Sequence, residues 1–317
     1  MAMNALQRYI AWRLLGTLPV LFGISLLAFI LAQLSPGDPA EILLEGAGTG
    51  MPSDAEVAAL RSYLGLDAPP YVQYGLWLWR LLHGDGGMSY HLGIPVFTAL
   101  LDRLPVTAAL AGAALLWAMA GGIGLGLLMV RLRGTAAMLL RGMAQVMLAV
   151  PSFLTAILLI LVFGVWLHVL PTNGVESAAG YLLPSLALAL VTLAMTAQLL
   201  DAHLREALSS LYARTARLRG LSETRVLLSY ALPNALVPVT AMLGNFAAAV
   251  LGGAIIVETV FALPGIGSLA LEAIHYRDYP LLQGYVLFLG GIYVLVTLAV
   301  DLVLARMDPR IALGGER

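Results

Sequence analysis

Over most of its length this chain does not alternate apolar with polar residues, nor stripe them at helical spacing; the apolar residues run on. Six stretches, at 10–34, 105–130, 144–170, 181–201, 234–258 and 281–305, stay apolar for 20 residues or more. About 20 apolar residues cross the roughly 30 Å of bilayer hydrocarbon as a helix. Lipid admits only helices or closed barrels, because every backbone N–H and C=O must find its partner inside the protein. Barrel strands are short and alternate, and these runs do neither. The pattern therefore predicts an all-α polytopic membrane protein with six transmembrane helices. The first run is too long for the apolar core of a secretory signal and precedes no small-x-small cleavage site, so it is expected to stay as a helix.

Polar residues supply the orientation. All seventeen basic residues are arginines. Thirteen of them (Arg8, Arg13, Arg131, Arg133, Arg141, Arg205, Arg214, Arg217, Arg219, Arg225, Arg306, Arg310 and Arg317) fall in alternate connections and at the ends. The other side holds four: Arg61, Arg80, Arg103 and Arg277. Positive charge marks the cytoplasmic side, so both termini are expected there. The organisation that follows is an N-terminus with first span at 1–34, an external insert at 35–104, and a transmembrane core at 105–317. Within the core, 131–143 is an internal loop, 171–180 an external loop, 203–230 an internal polar segment and 259–280 an external turn. The insert alternates turn clusters with amphipathic pieces. Its Tyr71, Tyr74, Trp77 and Trp79 fit either a helix at the outer interface or the core of a small folded cap.

Composition narrows the chemistry. Hydrophobic residues make up 60% of the chain and charged ones 11%, against about 25% charged in soluble domains; mean hydropathy is +0.90. With no cysteine there is no disulfide, thiolate or Cys-based metal site. The five histidines, at 83, 91, 168, 203 and 275, lack i, i+4 ligand spacing, so no metal site is expected. No Ser/His, paired-Asp or His-Glu-x-x-His set lies in the spans, which argues against an intramembrane protease. The "GIGLG" at 122–126 lacks the Lys-Ser/Thr of a phosphate loop and lies in the second span, where small residues serve close helix packing. Prolines 151, 184, 233, 238 and 264 mark kinks or helix starts. Asp201, Glu258 and Asp301 are the few ionisable groups near the spans, and such groups point to function by default.

The segment that breaks the pattern is "YARTARLRGLSETRVLLSYALP" (212–233), with four arginines between two apolar spans. Leu204, Leu208, Leu211, Tyr212, Thr215 and Leu218 recur at three- and four-residue spacing, which predicts one amphipathic helix over 203–219. Gly220 would end it in the left-handed conformation. Ser222 would then cap a second short helix that carries Glu223 in its first turn. Read alone, this is either a positively charged loop lying on anionic lipid or a docking element.

The segment resembles the coupling loop in permease subunits of bacterial binding-protein-dependent ABC importers. That loop reads Glu-Ala-Ala, three residues, Gly, nine residues, Ile, one residue, Leu-Pro. Here Arg214, Thr215 and Ala216 stand first, then Gly220, then Tyr230 and Leu232-Pro233 at the same spacing; Arg-Thr replaces Glu-Ala and Tyr replaces Ile. "RTARLRGLSE" is similar to the peptide/nickel branch. So are "LSPGDPA" (34–40), "LGLDAPPYVQYGLWLW" (64–79), "HGDGGMSY" (83–90), "VPSFLTAILLILVFGVWLHVLPTNG" (150–174), "GGAIIVETVFALPGIGSLALEAIHYRDYPLLQG" (252–284) and "DLVLARMDPRI" (301–311). Gln198 and Asp201 stand where that branch usually carries arginine, and Thr297 where it carries asparagine.

The resemblance implies a non-catalytic permease subunit of a multi-pass inner-membrane importer that works by alternating access. Its implied partners are a second homologous permease, two ATPase subunits that bind the ATP and Mg2+, a substrate-binding protein and the lipid bilayer, with no nucleic acid and no cofactor in this chain. It implies ATPase coupling through Arg214, Thr215, Ala216, Leu218, Gly220, Leu221, Leu232 and Pro233. It implies an external gate or binding-protein docking site at Glu258, Phe261, Pro264, Gly265, Gly267, Arg277 and Asp278. The cargo it implies is nickel or its chelates, or short peptides; "YVQYGLWLWRLLHGD" and "ARLRGL" lean towards nickel. A secondary transporter would need internal repeats and a midplane charge, and neither is seen.

Overall fold

The computed structural model describes residues 2–34, 37–46, 52–174 and 177–307. Turn-rich residues 47–51 and the arginines at 310 and 317, used above, lie outside them. Among the described residues the chain is helical, and its one strand-like pairing is an isolated bridge between Met88 and Pro95. The order is α1 (Ala2–Leu34), α2 (Pro39–Gly46), α3 (Asp54–Leu64), α4 (Pro70–Leu82), α5 (Val96–Arg131), α6 (Gly134–Ala149), α7 (Ser152–Leu159), α8 (Leu182–Ser209), α9 (Leu211–Leu218), α10 (Glu223–Val226), α11 (Leu232–Gly253), α12 (Ile255–Val260), α13 (Ile266–His275) and α14 (Tyr279–Met307).

Among the described residues five helical stretches are long and apolar enough to cross a membrane, and a sixth is obtained if α6 and α7 count as one bent span. The third expected span, 144–170, is thus not straight. The chain turns by 105° between α6 and the helix that runs from Ser152 to Trp166. Pro151 explains the position: it lacks an N–H and pushes the residue before it out of the helical region, and Val150 is extended at φ −89°, ψ 120°. The expected internal loop at 131–143 shrinks accordingly, since α6 begins at Gly134. The second span starts at Val96, ahead of the expected 105, with Pro105 inside the helix. The expected external turn at 259–280 contains a helix of its own, α13.

The centre of the molecule is the seam between α5 and α8. Ala114, Ala118, Gly122 and Gly126 recur every fourth residue down one face of α5 and are all buried. A Cβ on Gly126 would stand 2.9 Å from the Ala197 carbonyl oxygen, and one on Gly122 2.5 Å from Thr196 Cβ. Small residues let two backbones approach this closely where no water is available to drive association. The "GIGLG" stretch is therefore a packing surface. A second seam joins α11 to α14, where a Cβ on Gly244 would meet Val300 Cγ1 at 2.1 Å.

In the insert, α4 packs on the first span rather than on a core of its own. The Tyr74 ring lies 5.3 Å from Phe29 and Trp77 lies 5.9 Å from Phe29. The Tyr74 and Ser25 hydroxyls share a 2.9 Å hydrogen bond. Tyr71 and Trp79 point away and are exposed. Helix α3 is closed by a capping box between Ser53 and Glu56 and by left-handed Gly65.

Candidate functional site

The residues singled out by sequence gather at two places, joined by α8. One end of this 28-residue helix, about 42 Å long at 1.5 Å per residue, carries the arginine segment. At its other end Leu183 packs with Phe261 and Leu263 of the 258–278 group.

The arginine segment is not the single helix expected over 203–219. Helix α8 ends at Ser209, Ser210 is extended at φ −68°, ψ 163°, and α9 sets off anew. The break moves the apolar residues. Leu204 is buried in the main core and Leu208 packs against it. Leu211 and Leu218 face out, 80% and 89% exposed, and Tyr212 is also exposed. What α9 buries is small: Ala213 and Ala216 close on Val226 of α10, with Leu221 alongside. Gly220 takes φ +82°, and its N–H donates to the Arg217 carbonyl at 2.9 Å while that of Leu221 donates to Ala216 at 3.3 Å. This left-handed stop folds α10 back on α9. Ser222 caps α10 by accepting from the Arg225 N–H.

Arg217 locks the pair. Its Nε and Nη2 donate to both Glu223 carboxylate oxygens at 2.8 and 3.2 Å, and Nη1 donates to the Leu208 carbonyl of α8 at 2.9 Å. One guanidinium thus ties α8, α9 and α10 together. Arg214, Thr215, Leu218 and Gly220 lie on the exposed side with Arg219 and Arg225. After α10 the helix widens over Leu227–Ala231, with the Leu232 N–H donating to Leu227, five residues back. Pro233 has no N–H to donate to Ser229 and its ring would collide with that carbonyl, so the wider turn opens the space it needs.

At the other end Glu258 is fully buried. Its Oε1 accepts from the Thr107 hydroxyl at 2.6 Å and its Oε2 from the Ser268 N–H at 2.9 Å. Thr107 Oγ1 in turn accepts from the Ile266 N–H at 2.9 Å. Together they satisfy first-turn amides of α13, which would otherwise be orphaned. Gly265 and Gly267 make room for this: a Cβ on either would stand 2.3 or 2.9 Å from Glu258 carboxylate atoms. Phe261 is buried, and Pro264 is exposed beside a cleft of about 350 Å³ that Arg103, Thr259 and Leu271 also line.

Arg277, exposed at φ +53°, does not pair with Glu258. Buried Asp278 accepts from the Ser89 hydroxyl at 2.5 Å, the His91 N–H at 3.1 Å and the Leu281 N–H at 3.2 Å. It pins the loop after α4 to the start of α14. His91 also stacks on Tyr276 at 3.5 Å, with Nε2 3.6 Å from Glu272. Burial first, and then the Asp278 carboxylate, push the neighbouring Tyr90 phenol up to about 12.

Thr107 and Ser89 were not singled out from the sequence, and His91 was weighed there only as a metal ligand. They lie 151, 189 and 187 residues from the carboxylates they serve, and no local pattern marks such a pairing. Asp201 also finds partners, accepting from Arg141 Nε and Arg205 Nε at 3.0 Å each.

Comparison with known proteins follows the same outline. Residues 122–313 match the family described as binding-protein-dependent transport system inner membrane component, and residues 6–111 match the N-terminal part of such membrane components. A protein of Brucella suis biovar 1 named as a peptide transport system permease is 39% identical over 308 residues, covering 94% of this chain and 97% of its own length. The glutathione transport system permease protein GsiC of Escherichia coli K12 is 37% identical over 305 residues, covering 96% and 98%. Among solved structures, a chain of the MetNI methionine ABC transporter in inward-facing conformations superposes with TM-score 0.56 at 15% identity, covering 67% of this chain and 97% of that one. A chain of an amino acid ABC transporter with histidines gives TM-score 0.51 at 18% identity, covering 68% and 94%.

Proposed function

The chain belongs to the family of binding-protein-dependent transport system inner membrane components, and on that premise we propose that it is the permease subunit through which an ATP-driven importer carries short peptides. The family places it in the membrane, in a system served by ATPase subunits and a binding protein. The expected lean towards nickel finds no support, because the relatives described above carry peptide and glutathione names.

The observation that carries the coupling role is the α9–Gly220–α10 pair. It is tied to the end of α8 through Arg217 and presents unpartnered Leu211 and Leu218 outward. An ATPase groove closing on those leucines would push a rigid pair, and α8 and α11 would move with it. Arg214, Thr215 and Ala216 supply the body of that element, Gly220 and Leu221 its fold-back, and Leu232-Pro233 its junction with α11. On this reading both termini and the pair face the cytoplasm, ATP and Mg2+ are bound by the partner subunits, and this chain performs no chemistry. A second, homologous permease completes the pathway. The turn that joins Glu258, Phe261, Pro264, Gly265 and Gly267, with Arg277 and Asp278 behind it, is the face offered to the binding protein.

Two measurements test the proposal. Cells carrying the gene should take up labelled tripeptide in competition with excess dipeptide, and lose that uptake when it is deleted; gene-dependent nickel uptake that dipeptide leaves untouched would overturn the peptide reading. Leu218→Asp should abolish co-purification of the ATPase subunits and leave the chain's own thermal stability where it was. Full co-purification of the variant would remove α9 from the interface.

A further inference from the structure

At the end of the molecule that carries the arginine segment, a cleft of about 360 Å³ opens between the end of α5, the start of α6 and the last turns of α8. Arg133, Arg141 and Arg205 line it, with Leu132, Ala137 and Met138 as its apolar wall. Two of the three guanidiniums share one carboxylate: Asp201 accepts from Arg141 and from Arg205 at 3.0 Å each. Arg205 spends Nη2 on the Met129 carbonyl at 3.1 Å. Glu223, which feels the charge of Arg133, is already held by both donors of Arg217. Positive charge is left over, and one donor is conspicuous: Arg141 Nη2 is buried with no hydrogen-bond partner. Buried donors are nearly always paired, and a guanidinium fork suits a phosphate oxygen in particular.

We propose that this cleft binds the phosphate of an anionic phospholipid headgroup. The site lies where α5 ends at Arg131, the depth at which a span leaves hydrocarbon and enters the headgroup layer. Basic pockets between spans at that depth hold anionic headgroups. The apolar wall continues outward along α6 through exposed Met138, Leu139, Met143 and Val146, a track for an acyl chain that a free anion would not use. Helix α6 begins at the cleft with no side chain capping its first amides, so its positive end adds to the attraction. Because Arg133 lies within electrostatic reach of Glu223 on α10 and Arg205 stands in the last turns of α8, a bound lipid would sit against the element that moves.

The test is lipid binding to the purified full chain by native mass spectrometry, with dioleoyl-phosphatidylglycerol, dioleoyl-phosphatidylcholine and inorganic phosphate as separate probes. Wild type should bind phosphatidylglycerol at least about tenfold more tightly than phosphatidylcholine. Arg133→Gln/Arg141→Gln should erase that preference, while Arg219→Gln/Arg225→Gln, an equivalent charge loss at exposed positions elsewhere, should keep it. Asp201 remains paired through Arg205 in the double variant. Since the chain has no cysteine, Met138→Cys can also carry a single fluorophore with the arginines intact; brominated phosphatidylglycerol should quench it more than brominated phosphatidylcholine. Equal preference in wild type and the double variant, or equal quenching by both lipids, overturns the site. Millimolar phosphate displacing phosphatidylglycerol altogether would make the ligand a free anion. Loss of ATPase co-purification with unchanged lipid preference would make the cleft a protein contact.

Discussion

Glu258 offers the sharpest quantitative test, because its partners can be counted. Two donors end on its carboxylate, the Thr107 hydroxyl and the Ser268 N–H, and the carboxylate itself is fully buried. A buried donor left without an acceptor costs about 1–3 kcal/mol. Glu258→Ala strands both, so the expected loss is about 2–6 kcal/mol, with a further contribution from the space left beside Gly265 and Gly267. Glu258→Gln keeps the shape but has only one oxygen. Turned either way, its NH2 meets one of the two donors, so one is stranded and the loss is about 1–3 kcal/mol. Thr107→Val strands the Ile266 N–H and removes one donor to Glu258, again about 1–3 kcal/mol. The two changes share a network, so the Glu258→Gln/Thr107→Val double variant should be less destabilised than the sum of the singles. The assay is reversible unfolding by SDS titration in mixed micelles, followed by the fluorescence of the five tryptophans. If Glu258→Ala stays within about 0.5 kcal/mol of wild type, the capping argument is wrong. Lost uptake at unchanged stability would instead put this carboxylate on the path of the cargo.

Other expectations are as direct. Gly126→Ala drives a methyl against the Ala197 carbonyl across the α5–α8 seam and should cost about 1–3 kcal/mol as overpacking, read from the same titration. Gly124→Ala, with nothing within 4 Å, should be neutral or up to about 1 kcal/mol stabilising. Arg217→Ala should leave the global midpoint unchanged and speed amide hydrogen exchange across residues 211–226 by roughly three- to tenfold, the scale of an exposed ion pair. Hydrogen bonds from the Ser53 backbone and hydroxyl hold the Glu56 carboxyl below its ordinary 4.5. Its cap on α3 is therefore complete above that value and lost as pH falls through the lower folded value. Exchange at the start of α3 should rise only on the acid side, and Glu56→Gln should remove that rise.

Five of the six expected spans were legible because uninterrupted apolar runs have one reading in lipid. Gly220 and Ser222 were legible too, since a left-handed stop and an N-cap are local matters of one residue's geometry. The break at Ser210 was not: leucine spacing carries straight through from Leu204 to Leu218, and only packing separates the buried Leu204 from the exposed Leu218. Pro151 announced a kink without its angle, because 105° is set by what α7 finds to pack against. At the opposite end, the sequence marked Glu258 and Asp278 as charges worth attention, while the partners that define their work sit 151 and 189 residues away. For Glu258 the arginine that was closest in sequence, Arg277, is not a partner. Asp201 stands in the sequence as a lone charge, and its partners Arg141 and Arg205 appear only in the fold.

The widened turn at Leu227–Ala231 turns residue count into orientation. The wide turn already takes up one residue more than ordinary winding, so deleting one there would restore that winding with little rotation. Deleting two would rotate everything before it by about 100° and draw it in by about 1.5 Å relative to α11. Leu218 and Arg214 would then present a different azimuth, while α8, fixed by the α5 seam, could not follow. The interval between Gly220 and Pro233 therefore works like the keyway on a shaft: many side chains can fill it, but its length sets the angle at which the two parts engage.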